Sequence, residues 1–94
     1  MSIVANEPTR SSQAWQQEIT LEQRSVLAHK IIKTLLEVVR QHPTLNVHSY
    51  LGDFIKYSIQ MEFEVYTSVD NLDSYFHSLA ERIYYAQKRL KGKF

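Results

Sequence analysis

The chain has 94 residues, with 11 basic against 10 acidic side chains and a formal net charge of +1. That length holds one small domain, and so even a charge balance gives little overall attraction to nucleic acid, though local patches could still matter. With no cysteine, only two glycines and two prolines, and 44% hydrophobic residues, the composition is that of a folded chain without disulfide or thiol chemistry.

The start, MSIVANEPTRSSQ, lacks the charged and apolar blocks of a signal peptide, so residues 1–13 are expected to form a flexible polar arm. No apolar run approaches the roughly 20 residues of a membrane span, which predicts no membrane partner. Strand signals are weak, and helical periodicity dominates the remainder. A domain over residues 14–92 is therefore expected, with helices over about 20–41, 47–66 and 71–91.

Helix one opens on TLEQ, where Thr20 is placed to cap and Gln23 sits three residues on, the pattern of a capping box. Pro43 restricts His42 and stops that helix. Asn46 or Thr44 caps helix two, which contains Gly52 at a cost of roughly 1 kcal/mol against Ala; either packing is tight there or that end is loose. Asp70 or Asn71 caps helix three, and Gly92 marks its end. Helices of about 20 residues are rods of roughly 30 Å, and short loops between three of them force a bundle.

On helix three, Leu72, Leu79, Ile83 and Leu90 form the predicted core seam. Phe76, Ala80 and Tyr84 lie on one shoulder, with His77 and Lys88 beyond. Tyr75 and Ala86 lie on the other, rimmed by Arg82, Arg89 and Lys93. On helix one, Leu27, Ile31, Leu35 and Val38 are widened by Ala28, Ile32, Leu36 and Val39. Helix two is expected to bury Leu51, Ile55, Ser58 and Val65, flanked by Tyr50, Phe54, Tyr57 and Met61. These arcs are wider than the ~100° stripe of a packed surface helix. They either wrap a core or line surface grooves, and pattern alone leaves both open.

Arg24 and Glu62 each fall inside an apolar arc, and a buried charge needs a partner. Arg24 could pair with Glu62 or Glu81, or stack on Tyr66. His77 reads as a hydrogen-bonded edge residue. The four histidines lack zinc-site spacing, no glycine-rich phosphate loop appears, and DNLDSY lacks the Gly and Glu of a calcium loop. No nucleophile motif is present, so no enzyme activity, catalytic residue, metal or cofactor is expected.

Two segments, AWQQEITLEQRSVLAHKIIKTL and EVYTSVDNLDSYFHSLAERIYYAQKRL, resemble the KIX domain of the CREB-binding-protein coactivator family. The likeness covers about residues 15–91 and is densest in helix three; it is weak over residues 40–64. KIIKTL and FEVYTS are also similar to KIX domains of Mediator tail subunits.

The resemblance implies an all-α three-helix bundle with a short 3₁₀ turn before helix one. It implies a coactivator module for transcription regulation in the nucleus, binding acidic amphipathic helices of activation domains in hydrophobic grooves, as a monomer. Groove one would use Leu27, Lys30, Ile31, Phe76, Leu79, Ala80, Ile83, Tyr84 and Lys88. Groove two would use Leu35, Leu36, Phe54, Ile55, Tyr57, Met61, Ala86, Leu90 and Lys93. Tyr84 and Lys88 would contact a phosphoserine beside the ligand helix. Three positions depart from the family pattern: Gln23 replaces a Leu, Tyr50 an Arg, and Ala86 a larger Ile.

Two other classes compete. A helical nucleic-acid-binding domain also has three helices and a basic end, but helix three carries no row of Arg, Asn or Gln placed for bases, which argues against direct nucleic-acid binding. A homo-oligomerising bundle would bury the surplus apolar area against itself.

Overall fold

The computed structural model describes residues 14–94, and the arm over 1–13 lies outside the described residues. A 3₁₀ turn, Ala14–Glu18, precedes three α-helices: α1 (Leu21–Arg40), α2 (Val47–Ser68) and α3 (Leu72–Lys91). No strand occurs among the described residues. The architecture is a three-helix bundle with a short 3₁₀ element before the first helix.

Local chemistry sets the helix ends. The Thr20 hydroxyl accepts from the Gln23 backbone N–H at 3.0 Å, and Gln23 Oε1 accepts from the Thr20 N–H at 2.8 Å, closing the capping box. Asn46, not Thr44, caps α2 by accepting from the His48 N–H at 3.0 Å. Asn71, not Asp70, caps α3 by accepting from the Ser74 N–H at 2.8 Å. Each of these side chains satisfies an N–H that the first helical turn leaves unpaired. α1 stops at Arg40, three residues before Pro43. α2 continues to Ser68, where the Val69 N–H still reaches the Val65 carbonyl at 3.3 Å.

Gly52 resolves in favour of openness: a Cβ there would meet nothing within 4 Å. Tight packing does not explain this glycine.

The core differs from the sequence reading in its rotation. On α3 the buried residues are Tyr75, Leu79 and Ala86, while Leu72, Ile83 and Leu90 are only half-buried. The buried stripe is turned about 40° from the expected seam, toward the Tyr75 shoulder. The reason lies in the interior, where the Tyr75 hydroxyl donates to Glu62 Oε2 at 2.7 Å. On α2 the stripe runs through Phe54, Ser58, Met61, Glu62, Val65 and Tyr66, and Leu51 and Ile55 move to its edge. The arc of α1 is nearly all core: of the eight apolar residues expected there, only Leu27 is not buried.

A polar and aromatic knot ties all four elements together. Arg24 Nε and Nη2 donate to the two Glu62 carboxylate oxygens, each at 2.8 Å. The Arg24 guanidinium carbon also lies 3.5 Å from the Tyr66 ring centroid. Thus Arg24 pairs with Glu62 and stacks on Tyr66 at once, while Glu81 stays exposed. Trp15 contacts the rings of both Tyr66 and Tyr75, with centroids 5.5 and 5.6 Å away. Gln16 Nε2 donates to the Tyr66 carbonyl at 2.9 Å, which fastens the 3₁₀ turn to the end of α2.

The described fold measures 47 × 25 × 15 Å. A bundle so thin leaves an exposed flank on every helix, and these flanks carry the candidate grooves.

Candidate functional site

Between α1 and α3, half-buried Leu27 and Ile83 flank a strip with large exposed aromatics. Phe76 is 45% exposed and Tyr84 57%, with exposed Ala80 between them on α3. Lys30 on α1 and Lys88 on α3 are exposed, and neither has a carboxylate in salt-bridge range among the described residues. A cavity of about 330 Å³ lies at the end nearest the 3₁₀ turn, lined by Ile19, Gln23, Val26, Leu27, Leu72 and Phe76 among others.

Between α2 and α3 lies a second, longer depression. One cavity of about 440 Å³ is lined by Leu35, Tyr50, Phe54, Tyr57, Leu90 and Phe94 among others. A neighbour of about 340 Å³ includes Met61, Tyr85 and the Arg82–Glu64 ion pair. Tyr57, Ala86 and Arg89 line both. Arg82 Nη1 lies 2.7 Å from Glu64 Oε2, bridging α3 to α2 at the surface. The Arg82 guanidinium, helped by a hydrogen bond from Gln60, holds the Glu64 carboxyl below its usual range.

The KIX domain family profile matches residues 10–92. The chain belongs to the KIX domain family. Protein cbp-1 of Caenorhabditis elegans is 32% identical over 79 residues, which cover 84% of this chain and 4% of that protein. The KIX domain therefore corresponds to a small part of that relative's length. No solved structure gives a significant match.

Within this KIX domain, the positions expected in groove one divide into two layers. Leu27, Lys30, Phe76, Ala80, Ile83, Tyr84 and Lys88 retain accessible surface, whereas Ile31 and Leu79 are core residues at 0% and 2% exposure. Ile31 and Leu79 support the groove from below. Gln23 does make that end more polar, but its side chain is already engaged with the Thr20 cap.

In groove two, Leu35, Phe54, Tyr57, Met61, Ala86, Leu90 and Lys93 come together around the paired cavities. Leu36 and Ile55 do not join them. Leu36 belongs to a separate cavity with Lys30, Lys33, Glu37 and Arg40, so Lys30, expected in groove one, also borders this one. Ile55 sits on the other flank of α2, beside the Leu51 and Glu62 positions rather than the Tyr57 position.

Sequence reasoning missed several lining residues. Ile19 and Val26 extend groove one, and Val26 is 66% exposed. Ile19 follows the 3₁₀ turn, where helical periodicity says nothing. Tyr85, by contrast, stands three residues from Arg82 and four from Arg89, a spacing from which its place on the groove-two flank was legible but was not read. The His77 side chain is exposed and its ring makes no hydrogen bond among the described residues, so its expected bonded role is not realised. Among the described residues no group of three His, Asp or Glu side chains could hold a metal ion, and no helix is long and apolar enough to cross a membrane.

Proposed function

We propose that this KIX domain is a coactivator-type protein-interaction module of the nucleus. It docks acidic amphipathic helices from activation domains of transcription factors, as a monomer and without catalysis. The observation that carries the reading is the exposed α1–α3 strip, where Phe76, Tyr84 and Lys88 stand uncovered on α3 and Lys30 is exposed on α1. A disordered acidic segment can order in such a groove, with apolar anchors spaced at i, i+3, i+4 and i+7. The lysines steer it by charge. Tyr84 and Lys88 are exposed and four residues apart, so a phenol and an ammonium can together hold a phosphate next to the docked helix.

Chemical-shift mapping of labelled protein tests the reading. An acidic amphipathic peptide is expected to shift Leu27, Phe76, Ile83 and Tyr84. Tyr84→Ala should weaken binding roughly tenfold, about 1.4 kcal/mol, while leaving Tm unchanged. Phosphorylating a peptide serine that lies near Lys88 should tighten binding, and Lys88→Ala should remove most of that gain. Shifts produced by a DNA duplex but not by the peptide would favour a nucleic-acid-binding domain. Shifts that depend only on protein concentration would favour a self-associating bundle.

A further inference from the structure

The α2–α3 depression has two chemically different ends. Toward Phe94 it is walled by rings: the Tyr50 centroid lies 5.8 Å from that of Phe54 and 5.9 Å from that of Phe94, the latter pair at 84°. Tyr57, 43% exposed, adds a further ring to the lining. Beyond Ala86 the lining turns polar, with Gln60, Glu64, Arg82 and Arg89. Tyr57, Ala86 and Arg89 line both cavities, and a side chain as small as alanine puts little bulk between them.

The helices run antiparallel along it, from Tyr50 to Glu64 on α2 and from Lys93, just past the end of α3, back to Arg82. At 1.5 Å per residue the trough is about 16–21 Å long, room for a helix of about three to four turns. Its charge is uneven. Glu64 is already held by Arg82 and Asp53 adds one acid at the ring-walled end, while Arg89 and Lys93 have no carboxylate in salt-bridge range among the described residues.

We propose that this trough selects, among acidic amphipathic helices, those carrying an aromatic anchor for the ring-walled end and a carboxylate one to two turns further on for Arg89. The selection rests on the reading of the chain as a helix-docking module. Ring edges meeting ring faces attract beyond the area they bury, so an aromatic anchor gains over an aliphatic one of similar bulk. Arg89 lies at the junction of the two ends, so a carboxylate that follows the anchor along the ligand helix comes within its reach.

The test uses one acidic helical peptide with Phe at the anchor and Glu at i+4, and two relatives with Phe→Leu and Glu→Gln. The Phe peptide should bind about fivefold tighter than the Leu peptide, with shifts at Tyr50, Phe54 and Phe94. Phe94→Ala, at a surface position, should reduce that preference. Arg89→Gln should abolish the difference between the Glu and Gln peptides. Equal affinity for the Phe and Leu peptides overturns the proposal. So does an undiminished Glu-over-Gln difference in Arg89→Gln. If the peptides bind but shift only residues of the α1–α3 groove, helix docking stands and this proposal falls. If none of them binds at either groove, both fall.

Discussion

Arg24 and Glu62 show how a single buried pair organises a small fold. Both are at most 1% exposed, and each exchanges water for partners inside the fold. The pairing is two-pronged, and the Tyr75 hydroxyl and Tyr66 ring complete the shell. Burial pushes the Tyr75 phenol strongly upward, and the adjoining Glu62 carboxylate adds to the effect. Glu62→Gln keeps the shape but removes the carboxylate charge that Arg24 grips with two bonds, so urea denaturation should show a loss of roughly 3–5 kcal/mol. Tyr75→Phe removes one hydrogen bond to a charged group and should cost about 1.5–3 kcal/mol. A Glu62→Gln midpoint equal to wild type would mean that the pair adds nothing to stability. Both charges were visible in the sequence as interruptions of apolar arcs. Which partner Arg24 takes was not, because Glu62, Glu81 and Tyr66 are distant in sequence and only the helix docking chooses among them.

At the scale of the element, caps and stops follow from short stretches of chain, since they depend on neighbours within about four residues. Thr20 with Gln23 was legible for that reason, while Asn46 against Thr44 and Asn71 against Asp70 needed the backbone dihedrals at each end. The rotation of α3 was not legible. A periodicity count weights Leu72, Ile83 and Leu90 as the most apolar line, but Tyr75 brings both ring area and a bond to Glu62. Gly52 is the weak point of α2. It is exposed, and a methyl group there would touch nothing. Gly52→Ala should therefore raise stability by about 1 kcal/mol, seen as a higher urea midpoint with an unchanged slope. A lower midpoint would show that this turn of α2 is held by something other than helix propensity.

At the scale of the whole molecule, the aromatic knot makes stability depend on alkaline pH. Burial raises the phenols of both Tyr66 and Tyr75 above the ordinary value of 10.0. Below that value both states keep their protons and stability is unaffected by these groups. Above it the unfolded chain releases protons that the native fold retains, so stability falls as pH rises. Tm should hold steady up to about pH 9 and then decline steadily, and Tyr75→Phe should flatten that decline. A Tm profile that stays level through pH 11 would place both phenols in water. Helix α3 serves core and surface together: it sends Tyr75 and Leu79 inward and leaves Phe76 and Tyr84 on one flank and Tyr85 and Arg89 on the other.

The sequence alone determined the all-α class, the three helices with the Thr20–Gln23 capping box, and the KIX likeness of helices one and three. Each of these is local: periodicity, caps and motif spacing are written within one or two turns of chain. It also named residues that the fold sets around the α1–α3 strip and the α2–α3 depression. Tertiary structure alone decided which of them are surface and which are floor. Ile31 and Leu79 sink into the core, Leu36 and Ile55 turn away from groove two, and Phe94 closes the end of a trough whose far wall is Tyr50. Burial is a property of what docks against a face, and helices far apart in sequence settle it only when a buried ion pair and a few large rings fix their rotation.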